Sequence, residues 1–140
     1  MRWTYTTALL SSLLLAGCGG NSDELVIVPI EGTVRYKGEP VPDLMLNFQP
    51  VKGRPSWAIT DAQGKYKAVY TEDRPGVLAG ECRVQISLKP ATPDEELQML
   101  EGTHPRQVAL QDPLKKYGGT TTGLVLTISP DRTTVDIAID

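Results

Sequence analysis

Hydrophobic and polar residues alternate in short segments along the chain from residue 26 onward. In one segment Leu44, Leu46 and Phe48 alternate with Met45 and Asn47. Successive side chains of a β-strand point to opposite faces of the sheet, so each segment offers one apolar face to a core and one polar face to water. The pattern predicts seven strands, at 27–36, 43–49, 57–61, 64–70, 81–89, 123–129 and 133–139.

Gly, Pro and Asp interrupt these segments, a spacing that is typical of a small all-β sandwich. The one-sided alternation favours antiparallel sheets, because strands of buried parallel sheets are continuous apolar runs. Gly38 suits a positive φ angle between the first two strands, while Asp61 and Gly64 suit a type I turn that closes a hairpin. A similar turn at 129–132 predicts a final hairpin between the last two strands.

The segment at 89–122 does not follow the strand pattern. It is long, polar and rich in Pro and Gly, and a loop of that size in a compact domain usually has a function or is mobile. Thr92 can cap a helix, Pro93 suits its first position and Glu95 completes a capping box, which predicts one short helix at 93–101. We expect Leu97 and Leu100 to hold this helix against the edge of the sandwich.

The N-terminal residues have the parts of an export signal. Arg2 provides a positive charge, an apolar run extends from about residue 8 to residue 15, and small residues precede Cys18. The run is too short to span a bilayer core, which needs roughly 20 apolar residues. Residues 15–18 resemble the lipobox of bacterial lipoproteins, which implies cleavage between Gly17 and Cys18 and a lipid on the Cys18 sulfur. The alternative is an ordinary secretory signal with a chance cysteine.

The chain is therefore expected to have three parts: a signal peptide at 1–17, a lipidated tether at 18–25 and a β-sandwich domain at 26–140 with an insertion at 89–122. A multiply acylated Cys18 would hold the protein durably, since stable anchoring takes two lipid signals or more. We expect the domain in the cell envelope, facing the periplasm or the exterior. In some bacteria an Asp directly after the lipidated cysteine resembles a signal for retention in the inner membrane. Gly19 occupies this position here, which favours the outer membrane.

Charge and cysteine content narrow the choice of partners. The formal net charge is −3 and the basic residues are scattered. Recognition of nucleic acid depends on clustered Lys and Arg, so we expect no nucleic-acid partner.

A lipidated Cys18 leaves Cys82 without a disulfide partner. Cys82 lies in the apolar alternation of its strand with Val84 and Ile86, which predicts a buried, unreactive thiol.

The sequence predicts no catalytic site, no metal site and no cofactor. His104 is the single histidine, and we expect it to be exposed on a loop. No Gly-x-Ser-x-Gly elbow occurs, and no cysteines or histidines stand at metal-ligand spacing. Asp61 with Gln63 resembles the start of a calcium loop, but the acidic series that calcium requires is incomplete, so a turn role for Asp61 is the better interpretation.

Three aromatic residues are candidates for ligand binding. Trp57 begins a predicted strand, while Tyr70 and Tyr117 lie at strand or loop ends, where exposed rings could stack on a sugar or a peptide. For Trp57 we expect core packing, because one aromatic residue does not define a groove and Trp usually buries most of its area. An exposed platform at Trp57 is the alternative.

The turns and strand ends resemble those of carboxypeptidase regulatory-like, or transthyretin-like, β-sandwich domains of small bacterial lipoproteins. The similar segments are 32–41, 48–50, 60–66, Gly80 leading into Val84, 113–117 and 123–124. The resemblance implies a seven-stranded antiparallel Greek-key sandwich attached to a membrane surface. It implies no catalytic residue, because each shared motif is structural and such folds host unrelated functions.

The leading hypothesis is a non-enzymatic, lipid-anchored β-sandwich of the cell envelope that serves as a structural or protein-interaction module, with 89–122 as its contact surface. The first alternative is a module that binds a carbohydrate or envelope polymer through Trp57, Tyr70 and Tyr117. The second alternative is an accessory subunit of an envelope transport or protease complex. The expected partners are the membrane, through the lipid, and an envelope protein or polysaccharide.

Overall fold

The computed structural model describes residues 24–140, which form twelve short strands and three helices. The strands are β1 (Ile27–Val28), β2 (Glu31–Tyr36), β3 (Glu39–Pro40), β4 (Leu44–Pro50), β5 (Ser56–Ile59), β6 (Lys65–Lys67), β7 (Val69–Thr71), β8 (Arg74–Pro75), β9 (Val77–Leu78), β10 (Gly80–Leu88), β11 (Leu124–Ile128) and β12 (Ile137–Ala138). The helices are α1 (Pro93–Leu100), α2 (Pro105–Ala109) and α3 (Gln111–Tyr117). The fold is mostly β, as predicted, with more and shorter strands than the seven expected.

The larger sheet has six strands in the order β11-β10-β4-β5-β7-β8, and all of its neighbours are antiparallel. Its longest pairing is that of β4 with β10, in which Leu46 lies opposite Ile86 and Phe48 opposite Val84. The alternating side chains Leu44, Leu46 and Phe48 are fully buried. The core face predicted from the period of two is confirmed.

The smaller sheet is built around β2, which pairs with β3, with β6 and with β12. The β2–β12 pair is parallel, and a parallel bridge between Glu31 and Thr134 extends it. The predicted final hairpin is therefore wrong: β11 pairs with β10 in the larger sheet, and the chain then crosses to the smaller one.

Two predicted strands are divided because their halves take different partners. The strand expected at 27–36 is interrupted at Pro29, so that β1 pairs with β9 while β2 joins the smaller sheet. The strand expected at 64–70 is interrupted at Ala68. Before this residue β6 pairs with β2, and after it β7 pairs with β5. Proline cannot donate a ladder hydrogen bond, which accounts for the first break.

Side chains of these two sheets and of the separate two-stranded β1–β9 sheet meet in one core. The ring centroids of Phe48 from β4 and Tyr66 from β6 lie 5.9 Å apart. Val135, Ile137 and Ile139 complete the core from the C-terminal segment, as their alternation predicts. Cys82 is also buried there, as expected, and burial raises the pKa of its thiol to about 11.

The segment at 89–122 contains three helices instead of the single one expected. Thr92 caps α1 as predicted, since its Oγ1 accepts a hydrogen bond from the Glu95 N–H at 3.2 Å. The expectation that Leu97 and Leu100 hold α1 against the edge of the sandwich is wrong, because both side chains are exposed. The segment is fixed instead by α3 and the residue before it, through the buried side chains of Leu110, Pro113 and Tyr117.

The three turn residues adopt compact turn geometry. Gly38 and Gly64 have φ angles of 83° and 73°, in the left-handed region that glycine tolerates. The Asp61 Oδ1 accepts hydrogen bonds from the N–H groups of Gln63 and Lys65, each at 2.9 Å. This turn does not close a hairpin as expected, because β5 belongs to the larger sheet and β6 pairs with β2.

Candidate binding site

An open cleft of about 630 Å³ lies beside Trp57. This volume falls within the range of roughly 300–1,000 Å³ that is usual for ligand sites. We call it the Trp57 cleft. Its lining side chains come from β2, β5, β6, the turn after β5 and the C-terminal segment, and they include Glu31, Thr33, Trp57, Ile59, Asp61, Lys65, Tyr66, Lys67, Thr134 and Asp136.

The cleft opens where the two sheets separate. Trp57 of β5 lies opposite Val69 of β7, but the following residues of β5 have no partner on that side, because β6 turns away to pair with β2. The floor beneath is closed by a tight approach of β2 to the C-terminal segment. A Cβ atom on Gly32 would lie 1.9 Å from the Val135 carbonyl oxygen, so only glycine fits there.

Trp57 is 48% exposed, so the expectation that it packs in the core is wrong. Its neighbours Ser56 and Ala58 occupy the core-facing positions of β5 and are fully buried. The pleat then directs the intervening Trp57 outward. One face of the indole thus becomes a wall of the cleft, which is the alternative that the sequence left open for this residue.

Two of the three acidic side chains of the cleft, those of Asp61 and Asp136, are held in fixed positions by the backbone. The Asp136 Oδ1 accepts a hydrogen bond from the Thr33 N–H at 2.9 Å, and Asp61 is fixed by its own turn. Lys67 and Glu31 form an ion pair at 3.9 Å whose side chains are largely exposed. Exposed pairs contribute roughly 0–1 kcal/mol, so this one can open to admit a ligand.

Tyr66 forms part of the cleft wall although its ring is buried. Its hydroxyl donates a hydrogen bond to the Val135 carbonyl at 2.6 Å. Burial raises the pKa of Tyr66, and the charges of Asp136 and Cys82 raise it further. The phenol therefore stays protonated at neutral pH and serves as a fixed structural donor.

Tyr70 and Tyr117 do not belong to this site. Each is only 9% exposed, so the expectation that they provide exposed platforms is wrong. The Tyr117 ring is part of the core cluster and its hydroxyl donates to the Asp140 carbonyl oxygen at 3.0 Å. The guanidinium of Arg74 lies 6.0 Å from the centroid of the Tyr70 ring. Trp57 alone of the three presents an open aromatic face.

His104 lies at the start of α2 and is buried, so its predicted exposure on a loop is wrong. Its Nδ1 accepts a hydrogen bond from the Arg106 N–H at 3.3 Å, which caps the helix. The Arg106 guanidinium in turn donates to the Pro42 carbonyl and ties α2 to the chain before β4. The dipeptide His104-Pro105 could have indicated this helix start from the sequence, because proline favours the first position of a helix.

Within residues 24–140, neither a cluster of metal ligands nor a membrane-spanning helix is found. No group of three or more His, Cys, Asp and Glu side chains lies close enough there to hold a metal ion. No helix in the same range has the length and apolarity needed to cross a membrane. The expected signal cleavage at Gly17 and lipidation at Cys18 lie outside the described residues.

Comparison of the chain with protein-family models, curated proteins and solved structures finds no match. The chemistry of the Trp57 cleft therefore follows from its own residues. A flat aromatic face, two fixed carboxylates and two lysines surround an open cavity. Such a set can stack on a flat ligand and exchange several hydrogen bonds with it.

Proposed function

We propose that this protein is a non-enzymatic, lipid-anchored module of the cell envelope that binds a neutral polysaccharide in the Trp57 cleft. The observation that carries the proposal is the half-exposed indole of Trp57 beside an open cleft of about 630 Å³. An exposed tryptophan on a strand leaves a large apolar surface in water. A ligand that covers it gains the free energy of that burial.

Carbohydrate chemistry matches the cleft. One face of a pyranose ring presents C–H groups, which stack on an aromatic face, and its rim presents hydroxyls. Carboxylates accept hydrogen bonds from hydroxyls and lysine ammonium groups donate to them. Asp61 and Asp136 are already positioned by backbone N–H groups, so they lose little conformational freedom when a sugar binds.

The charge of the cleft favours a neutral polymer. Three acidic side chains and two basic ones line it, so no strong field of one sign selects an anionic or a cationic ligand. The cleft is also open and not enclosed. A second cavity of about 300 Å³ adjoins it, since Glu31 and Lys67 line both. A polymer that extends beyond the site at both ends fits this arrangement better than a small isolated molecule does.

The remaining parts of the proposal come from the sequence. The resemblance of residues 15–18 to a lipobox supports a lipid on Cys18, and Gly19 after it supports a position at the outer membrane. The turn and strand motifs support a transthyretin-like, Greek-key relationship between the strands. In this proposal the binding domain stands on a membrane surface, close to the polymers of the envelope.

Binding is tested with full-length protein in detergent on immobilised neutral and charged polysaccharides. We expect retention on a neutral polymer, loss of at least tenfold in affinity for Trp57→Ala and partial recovery for Trp57→Phe. Leu100→Ala is the matched control, because it removes an exposed apolar side chain on α1, outside the cleft. Equal retention of all four proteins contradicts the proposal.

The fluorescence of Trp57 provides an independent measurement. If the signal peptide is removed, Trp3 leaves with it and Trp57 is the only tryptophan of the mature protein. Iodide should quench its emission in the free protein, and the bound polymer should protect it. Quenching that is unchanged at saturating polymer places the ligand elsewhere.

A second candidate is a protein-interaction module, favoured by the exposure of Leu97 and Leu100 on α1. Two exposed leucines three residues apart lie on one face of a helix, a pattern used in helix docking. The double variant Leu97→Ser with Leu100→Ser tests this candidate by crosslinking in intact cells. A protein partner that is lost in this variant and retained by Trp57→Ala would favour it over polysaccharide binding.

A further inference from the structure

Exposed apolar side chains gather at the end of the sandwich where the described residues begin. Leu25 and Val26 precede β1, and both are about half exposed. Val51 follows β4 and is 80% exposed, the same fraction as the most exposed leucine of α1. Soluble domains rarely leave such residues grouped together without a function.

Backbone contacts bring these segments to one surface. The Ala79 N–H donates to the Val26 carbonyl at 2.9 Å, and the Val51 N–H donates to the Glu81 carbonyl at 3.3 Å. Leu25, Val26, Lys52, Gly53 and Leu78 together line a shallow cavity of about 390 Å³. We call the surface formed by Leu25, Val26, Val51 and Lys52 the tether-end face.

The length of the preceding chain limits where this face can be. Six peptide units separate Cys18 from Glu24. A fully extended chain spans at most about 3.6 Å per residue, so a lipid on Cys18 keeps Glu24 within about 20 Å of the bilayer surface. The tether-end face begins at the next residue and is therefore the part of the domain that is closest to the lipid.

We infer that the tether-end face lies on the bilayer surface, with Leu25, Val26 and Val51 among the lipid headgroups. The inference rests on the lipid anchor of the proposed function. Lys52 and the exposed Arg54 extend from the same loop and can reach lipid phosphates while their stems remain on the apolar surface. Glu24 and Glu81 lie at the same end, so apolar burial and not net charge drives the contact.

The orientation has a consequence for the rest of the domain. β4 runs from Leu44 to Pro50, and seven residues of strand span about 20 Å. Val51 follows one end of β4, whereas Pro42, which binds α2 through Arg106, precedes the other. A domain seated on its tether-end face therefore points α2 and its exposed Val108 away from the membrane.

The test compares two exposed valines at opposite ends of β4. Full-length lipidated protein carrying Val51→Cys or Val108→Cys is labelled with an environment-sensitive fluorophore and reconstituted in phosphatidylethanolamine–phosphatidylglycerol vesicles. Cys82 is buried with a raised pKa, so its thiol stays unlabelled in the folded protein. Nitroxide lipids report contact with the bilayer, and aqueous iodide reports contact with water.

We expect nitroxide lipids to quench the label at residue 51 at least threefold more than the label at residue 108, with the reverse order for iodide. The difference should persist in vesicles of phosphatidylcholine alone, because apolar burial does not need anionic lipid. Equal quenching at the two positions, or a difference confined to anionic vesicles, overturns the inference.

Mass spectrometry of the Cys18 peptide separates this inference from the anchor. If Cys18 carries a lipid and the label at residue 51 remains in water, the protein is anchored but its tether-end face does not lie on the bilayer. In that case only the inference fails. A Cys18 without lipid removes the anchor, and the inference fails together with that part of the proposed function.

Discussion

Replacing Thr60 with valine should destabilise the fold strongly, although the two side chains have nearly the same size. Thr60 is buried directly after β5, and its hydroxyl joins two backbone groups. It accepts a hydrogen bond from the Leu44 N–H at 2.9 Å and donates one to the Val41 carbonyl at 2.6 Å. These bonds fix the bend before β4, where Asp43 has a φ angle of 51°.

The cost follows from the two groups that the substitution leaves unpaired. An unsatisfied buried donor or acceptor costs roughly 1–3 kcal/mol, so we expect Thr60→Val, which leaves two such groups, to lose about 2–6 kcal/mol of unfolding free energy. Domains are stable by roughly 5–15 kcal/mol, so the loss is a large fraction of the total. With a urea m-value of about 2 kcal/mol per M, the midpoint should fall by about 1–3 M.

Urea unfolding followed by circular dichroism provides the measurement, and Thr60→Ser provides the control. Serine keeps the hydroxyl and loses one buried methyl group, so it should cost about 1 kcal/mol. A Thr60→Val variant within about 0.5 kcal/mol of the parent would refute the reasoning, as would a serine variant that is as unstable as the valine variant.

Three further results are expected. Gly32→Ala should lose about 3 kcal/mol, because its Cβ would collide with the Val135 carbonyl, whereas Gly38→Ala has free space and should lose only about 1 kcal/mol in the same urea assay. The unfolding free energy should decline above about pH 9, since the unfolded chain releases the Cys82 proton well before the folded thiol, whose pKa is about 11, does. The unfolding free energy of Cys82→Ala should decline less steeply between about pH 9 and 11. Leu100→Ser should change the unfolding free energy by less than about 0.5 kcal/mol, and a larger loss would place this side chain in a packed contact.

The sequence could predict the core faces of the central strands because they depend only on neighbouring residues. Leu44, Leu46 and Phe48 alternate with polar or exposed positions, and a period of two has one structural solution when one face is buried. The helix cap at Thr92 was equally local. Partner choice was not predictable in this way: nothing near Ile137 indicates that it pairs with Val34, about one hundred residues earlier, instead of with the preceding strand.

The candidate site was predicted only in part, for a related reason. Trp57 was identified as a candidate, but its direction depended on which residues of β5 face the core, and Ser56 and Ala58 are small enough to leave that choice open. The cleft itself combines side chains from β2, β5, β6 and the C-terminal segment, whose proximity is a property of the folded chain. Tyr70 and Tyr117 were misjudged because a position at the end of an element does not determine burial.

The position of β2 between β6 and the C-terminal segment sets the order in which the chain can fold. The Glu31 N–H donates to the Thr133 carbonyl, and the Val135 N–H donates back to the Glu31 carbonyl. The early strand β2 therefore cannot complete its pairing until one of the last segments of the chain has been made. Such distant pairing slows folding, because a long loop must close before the contacts form. A chain synthesised from its N-terminus can therefore complete the smaller sheet only when nearly all of its residues are present.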